Sequence, residues 1–435
     1  MYTILGYLWQ YITNPKAIIA LSLFVALISS YSVVPRHVFW TLLAAYVLGL
    51  MAYGIYWLIQ RRRHAEQGEQ LAQAIENDAK AEHGQNKDKE ELSLIQQQMK
   101  DSIQLIRKSK LGDKKGNAAL YELPWYMVIG NPAAGKSSAI YNSGLKFPFE
   151  ETHQKMVSAG LSGTRNCDWF FSTEGILLDT AGRYSVYSED HSEWLGFLTL
   201  LKKNRPKAPV NGLIVIVSIA ELISQSPERS LKLAKNLRAR IQDLTERLEV
   251  VVPVYLVFSK MDLIAGFTEF FDCYEAQEYN QAWGATLPYD QNSSQNAVEL
   301  FEQHYTILYD GLKGVSTTHL SRRHSQNISP SVMTFPLEFK TLKPALKSFV
   351  ATLFEDNPYQ FQPVFRGFYF TSALQEGVVE SPMTEQIAHE FRLQPIEQVQ
   401  RGSSQHGSSA NHGYFLKGLF SDVILPDKDL VKQHI

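Results

Sequence analysis

An α/β domain carried behind a membrane helical hairpin, with a helical insertion and a helical extension, is the fold class the sequence predicts. Three observations predict it. Two long runs without a charged residue, Ala17–Val34 and Val38–Ile59, lie near the N-terminus. Short apolar runs of strand length recur between residues 125 and 370 and end in glycine or polar residues, the pattern of buried parallel strands. A helix-period stripe, Ala234, Leu237, Ile241, Leu244 and Leu248, falls between two of them, where parallel strands need a crossover helix.

The two uncharged runs hold 18 and 22 residues. At ~1.5 Å per residue they span roughly 27 and 33 Å, close to a ~30 Å hydrocarbon core. A signal peptide fits poorly, because the first run is long, lacks a small-residue cleavage site and is followed at once by the second. Trp40, Tyr46, Tyr53, Tyr56 and Trp57 give the second span the aromatic flank expected near an interface. Only Pro35-Arg36-His37 separates the spans, and Arg61-Arg62-Arg63 follows them. The positive-inside rule puts that triplet in the cytoplasm, and with it the N-terminus and everything after residue 60.

The first strand, Trp125-Tyr126-Met127-Val128-Ile129, runs into Gly130-Asn131-Pro132-Ala133-Ala134-Gly135-Lys136-Ser137, which fits G-x-x-x-x-G-K-[ST] without mismatch. Ser137-Ser138-Ala139-Ile140-Tyr141 can open a helix. Strand, glycine loop and helix is the context in which backbone N–H groups and a helix N-terminus cradle phosphate oxygens. Lys136 would reach the β- and γ-phosphates, and the Ser137 hydroxyl would sit on Mg²⁺. Downstream, Leu177-Leu178-Asp179-Thr180-Ala181-Gly182-Arg183 reads as a strand ending in D-x-x-G. Asp179 is then the carboxylate of the Mg²⁺ shell, and Gly182 lets a backbone N–H approach the γ-phosphate. Thr164 is placed like the threonine that closes over Mg²⁺. The residue after D-x-x-G, commonly a water-orienting glutamine, is here Arg183. A guanidinium is donor-only. It either stabilises γ-phosphate charge in cis or serves as a structural cation beside an acid, and intrinsic hydrolysis should be slow.

Two further strands are Leu213–Val217 and Val254–Phe258. The second ends in Ser259-Lys260-Met261-Asp262, similar to the base-reading [NT]-K-x-D of GTPases, with serine in the first position. Asp262 would accept from a guanine edge and the Lys260 stem would cover the ring; an ordinary strand-end turn is the other reading. Gly367–Phe370 leads into Thr371-Ser372-Ala373, which looks like the last base-side loop of the same fold. Together these parts predict a P-loop NTPase domain of small-GTPase type with Mg²⁺ and ATP or GTP as cofactors.

The sequence divides into a two-span hairpin (1–62), an amphipathic helix and linker (63–117), the P-loop domain (118–262), a helical insertion (263–363), the last strand and loop (364–377), and a helical extension (378–435) with a flexible linker at 402–413. Leu92, Ile95, Met99, Ile103 and Ile106 form the apolar face of the first helix. The insertion is far longer than a usual connection and rich in aromatics, which predicts a subdomain of its own. A net charge of −2 argues against a general nucleic-acid binder. The two cysteines, Cys167 and Cys273, cannot make a zinc site and read as reduced thiols.

The motifs resemble the cytoplasmic half of TssM, the IcmF-like inner-membrane subunit of bacterial type VI secretion systems. The resemblance rests on the hairpin, the phosphate loop, Gly163-Thr164-Arg165-Asn166-Cys167-Asp168-Trp169-Phe170, Leu177–Tyr184, Arg366–Ser372 and Phe415-Leu416-Lys417-Gly418-Leu419-Phe420-Ser421-Asp422. It implies a homo-oligomeric scaffold in the bacterial inner membrane, working with a TssL-like second subunit, baseplate proteins and a TssJ-like outer-membrane lipoprotein. The chain stops at Ile435, where the family pattern would give a third span and a periplasmic region, so lipoprotein contact is not expected of these residues. Three readings follow: a membrane-anchored scaffold whose nucleotide pocket acts as switch or strut, an NTPase driving assembly, or a membrane-tethered regulatory GTPase.

Overall fold

The computed structural model describes residues 123–148, 167–186, 190–224, 226–271, 279–289, 296–322, 331–357, 362–373 and 413–433, with a few isolated shorter stretches. The chain divides into two units, Met1–Glu82 and His83–Ile435. Of the first, only Trp40 and Thr41, both helical and exposed, are described. Apart from those two residues, the expected spans and the arginine triplet lie outside the described residues, among which no helix is long and apolar enough to cross a membrane. The linkers around residues 110–116 and 402–412 also lie outside them.

The second unit is built on one mixed sheet. Its strands are β1 (Trp125–Ile129), β2 (Cys167–Phe171), β3 (Ile176–Thr180), β4 (Gly212–Ser218), β5 (Pro253–Ser259), β6 (Gly284–Thr286) and β7 (Val364–Phe370). They lie in the order β2-β3-β1-β4-β5-β7-β6. The inner five are parallel, whereas β2 and β6 close the two ends antiparallel. The apolar runs read as strands form the parallel core, and the stripe from Ala234 to Leu248 lies buried on α4 (Pro227–Leu248).

Parallel strands covered on both faces must be apolar on both. Alternate residues here feed two separate cores. Trp125, Met127, Ile129, Leu213, Val215, Leu256 and Phe258 face one side. There they meet α2 (His191–Asn204) through Trp194, Phe197, Leu198 and Leu201, and α4 through its buried stripe. Tyr126, Val128, Ile214, Ile216, Tyr255 and Val257 face the other side. Of the first amphipathic stripe, Met99 and Ile103 are described, and both are buried in the first core.

The segment 263–363 differs from expectation in two ways. It is not a subdomain apart, and it is not wholly helical. Its helices α5 (Phe267–Phe271), α6 (Ala297–Arg322) and α7 (Ser331–Leu353) share the first core with the sheet, and β6 extends that sheet. The aromatics do the joining. Tyr305 stacks on Phe339 at 4.5 Å, and Phe301 meets Phe368 of β7 at 4.7 Å. Aromatic pairs at such spacing add about 0.5–1.5 kcal/mol each beyond their burial.

The end of the chain also departs from a helical appendage. The helix opening the second face, α1 (Lys136–Tyr141), is six residues long and cannot cover it. A strap, residues 413–433, packs on the same face with Leu416, Leu419, Phe420, Ile424 and Leu425 through π- and 3₁₀-type turns. Polar contacts fasten it. Asp427 accepts from Tyr255 Oη at 2.7 Å and from Arg366 Nε at 2.6 Å, Tyr126 Oη donates to the Ile424 carbonyl, and Asn211 Nδ2 donates to the Lys428 carbonyl at 2.7 Å. Lys432–Gln433 pairs antiparallel with Val250–Val251.

Removing Asp427 leaves a half-buried guanidinium and a phenol without their shared acceptor. Asp427→Ala should cost about 2–3 kcal/mol, while Tyr255→Phe, which loses one hydrogen bond, should cost about 1 kcal/mol. Urea unfolding of the full chain reads both, and equal losses would mean that Asp427 does not fasten the strap.

Candidate phosphate-loop site

The loop between β1 and α1 is held by close backbone approach. At Gly130 an added Cβ would lie 2.1 Å from the Ile216 carbonyl oxygen of β4, so only glycine passes there. Ala133 and Gly135 are both left-handed, at φ 59° and 81°, and wind the loop tightly. A non-glycine residue in that region carries strain of about 1–3 kcal/mol, held by the surrounding contacts.

The Lys136 ammonium lies back across the loop, donating to the carbonyls of Gly130 and Asn131, each at 3.1 Å. Burial pushes its pKa down, and Asp179 and Glu221 oppose that shift. Ser137 Oγ donates to Asp179 Oδ2 at 2.5 Å. Asp179 is fully buried near the end of β3, and its neighbour Thr180 fixes the strand end by donating to the Val128 carbonyl at 2.8 Å. A serine hydroxyl and a carboxylate meeting beside the loop are hard-oxygen donors of the type that suits Mg²⁺. Among the described residues no group of three or more His, Cys, Asp or Glu could hold a metal ion.

The D-x-x-G turn lies directly on the loop. A Cβ on Gly182 would stand 2.4 Å from the nitrogen of Pro132 and 2.6 Å from its Cα. Arg183, the next residue, points away toward acids. Its Nη2 donates to both oxygens of Glu193 at 2.8 and 2.7 Å, and its Nη1 reaches Asp190 at 3.1 Å. Tyr184 Oη donates to the same Glu193 at 2.7 Å. Burial first, and the Glu193 carboxylate second, push the Tyr184 phenol well up.

On the far side of the loop, Ser259 Oγ donates to the Ala134 carbonyl at 2.6 Å, so this serine braces the glycine loop. Lys260 is left-handed at φ 60° and its Cε lies 4.0 Å from where a Gly135 Cβ would be. Asp262 is buried and accepts from Ser372 Oγ. Two main-chain bonds join these loops: Met261 N–H to the Thr371 carbonyl at 3.1 Å and Thr371 N–H to the Phe258 carbonyl at 2.9 Å.

The structure thus brings together Gly130, Asn131, Pro132, Ala133, Ala134, Gly135, Lys136, Ser137, Ser138, Asp179 and Gly182, with Lys260 alongside and Asp262 behind it on the Ser372 loop. Arg183 is adjacent in chain, but its guanidinium is engaged by Glu193 and Asp190. Thr164 lies outside the described residues. Three partners were not read from the sequence. Asn131 Nδ2 donates to Glu221 on α3 (Ile219–Ser224), whose carboxyl is pushed up by burial. Glu193 and Asp190 are the others. Asp190 and Glu193 sit at the start of α2, where acids are common for helix-dipole reasons, so nothing local marks them as partners of Arg183.

A family model described as the IcmF-related N-terminal domain matches residues 187–435. The chain is 37% identical over 351 residues to the type VI secretion system component TssM1 of Pseudomonas aeruginosa, which covers 79% of this chain and 31% of that protein. It therefore spans about a third of the length of that curated relative. Among solved structures, the signal recognition particle receptor SRb-GTP/SRX complex from Chaetomium thermophilum matches 34% of this chain and 75% of its own, at 18% identity and a TM-score of 0.24. An ADP-ribosylation factor-like GTP-binding protein (small COPII coat GTPase SAR1) from Encephalitozoon cuniculi in complex with GDP matches 60% and 89%, at 12% identity and a TM-score of 0.22. TM-scores this low carry nothing about site or activity.

Gly182→Ala should force the turn off Pro132 and cost about 1–3 kcal/mol as an overpacked contact. Gly311→Ala, on an exposed face of α6 where a Cβ meets nothing within 4 Å, should instead stabilise by up to about 1 kcal/mol. Urea unfolding distinguishes the two, and a silent Gly182→Ala would mean that the turn does not press on the loop.

Proposed function

The chain belongs to the IcmF-related family of type VI secretion components, and from that membership we propose that it is a structural inner-membrane subunit of a secretion complex. On this reading the N-terminal hairpin lies in the bacterial inner membrane and the α/β unit is a P-loop domain of small-GTPase type in the cytoplasm. Its partners are further copies of itself, a second TssL-like inner-membrane subunit and the baseplate. The domain binds a nucleoside triphosphate with Mg²⁺ and serves as a nucleotide-dependent switch or strut in assembly.

The observation that carries the nucleotide reading is the convergence on one glycine loop of the Lys136 ammonium, the Ser137–Asp179 oxygen pair and the Gly182 turn. Lys136 would leave the loop carbonyls for the β- and γ-phosphate oxygens. Ser137 and Asp179 would hold Mg²⁺, directly and through water; the ion would supply charge neutralisation between the β- and γ-phosphates. Thr164 would complete that shell. Gly182 would offer a backbone N–H to the terminal phosphate. The carboxylate of Asp262, steadied by Ser372, is an acceptor and favours the N–H edge of guanine over the N1 lone pair of adenine.

A second reading is a slow hydrolase. The arginine at this position favours switch over engine, because a donor-only guanidinium provides no glutamine-like acceptor to orient the attacking water.

Calorimetry on the full chain with GTP, GDP, ATP and ADP in Mg²⁺ tests the reading. Binding should be weakened at least about tenfold by Lys136→Ala, should favour guanine nucleotides, and should accompany turnover on the order of 10⁻³ per second or slower. No binding at millimolar nucleotide would leave the scaffold role without a nucleotide.

A further inference from the structure

The nucleotide reading says what the loop binds; the surroundings of Arg183 bear on how it tells a triphosphate from a diphosphate, an inference that rests on that reading. The turn Gly182–Ser185 lies against Pro132 of the loop, so Arg183 begins beside the place a terminal phosphate would occupy. Its guanidinium nevertheless turns to α2. Glu193 takes it with both oxygens, at 2.8 and 2.7 Å, and Asp190 takes the other nitrogen at 3.1 Å. Glu193 is 5% exposed. A carboxylate buried to that degree is costly unless it is paired and hydrogen-bonded, and Tyr184 Oη adds a third bond at 2.7 Å.

We propose that Glu193 is a specificity-determining residue of this site: it withholds Arg183 from the loop, and a triphosphate binds by drawing the guanidinium onto its terminal phosphate. A planar guanidinium fits a phosphate and a carboxylate equally well, with paired N–H donors. The exchange is therefore a competition between two similar acceptors, and the phosphate prevails only when its charge is next to Arg183. A diphosphate, seated at Lys136, leaves the pair with Glu193 in place. Two further contacts carry the change outward. Gly182 must lift from Pro132 to admit the terminal phosphate. At the head of α2, His191 lies 3.1 Å from Asp243 of α4, so movement of the first turn of α2 is felt by the long crossover helix.

The experiment compares wild type, Glu193→Gln, Arg183→Ala and the double variant as full chains, using fluorescently labelled GTPγS and GDP and then ATPγS and ADP with Mg²⁺. Glu193→Gln should raise triphosphate affinity about tenfold while leaving diphosphate affinity unchanged. Arg183→Ala should lower triphosphate affinity alone, and in the double variant the gain from Glu193→Gln should vanish. A merely structural Glu193 would weaken both nucleotides together and keep their ratio fixed, which would overturn the proposal. Asp190→Asn loosens the latch from its more exposed side and should shift the ratio in the same direction by a smaller factor. It serves if Glu193→Gln does not fold, and an unchanged ratio there overturns the proposal too. Failure of the nucleotide reading looks different: wild type would then bind neither diphosphate nor triphosphate, and the latch would fall with it.

Discussion

A parallel sheet must be covered on both faces, and in this chain that constraint shapes everything around the loop. The first face has four long helices to choose from. Among the described residues the second has only α1, six residues long, because the chain leaves the helix soon after the glycine loop. Residues 413–433 fill the deficit, burying five large apolar side chains against Tyr126, Val128, Ile214 and Ile216. At roughly 1.5–3 kcal/mol for each fully buried side chain of this size, the strap contributes too much to be an optional tail. Its polar clasp has the same logic. Tyr126 and Tyr255 place phenols on a face that would otherwise be apolar, and the strap supplies their acceptors at Ile424 and Asp427.

The loop itself is gripped from three directions: Gly130 against Ile216, Gly182 against Pro132, and Ser259 bonded to the Ala134 carbonyl. Rigid support of this kind preorganises a binding loop. The grip has an opposing consequence. Lys136, Ser137 and Asn131 each make bonds within the protein, to loop carbonyls, Asp179 and Glu221. A nucleotide of the proposed kind would have to exchange those bonds for its own, so only the difference would appear as affinity. Such a site suits a role that depends on which nucleotide is present more than one that needs rapid turnover.

The inner five strands, the glycine loop and α4 were legible in the sequence because each is written locally, as an apolar run, a fixed glycine spacing or a 3.6-residue stripe. Cys167-Asp168-Trp169-Phe170-Phe171 was not read as a strand; its mixed pattern becomes intelligible only once it pairs antiparallel with β3. Strand β6 is three residues long and exists because β7 offers it an edge. The aromatic segment after residue 263 signalled a core but not which core, since ring stacking such as Tyr305 on Phe339 carries no sequence period that names its layer. At the site, Lys136, Ser137 and Asp179 follow from motif and order. The partners of Arg183 do not, because the pairing depends on where the head of α2 comes to rest.

The two ends of the proposed nucleotide then report to different parts of the fold. Its phosphates would lie beside Gly182 and Arg183, whose acidic partners head α2 and reach α4 through His191 and Asp243. Its base would lie beside Asp262 and Ser372. The backbone of Ser372 exchanges a pair of hydrogen bonds with Tyr414, at 3.2 and 2.8 Å, where the strap begins. The strap in turn is clasped at Asp427 and ends paired to the residues just before β5. A loss of the terminal phosphate would therefore act on α2 and α4, whereas a loss of the whole nucleotide would also slacken the strap. On the proposed reading, a subunit wired in this way would hold its shape with a diphosphate bound and change it only at the helices, the behaviour expected of a strut.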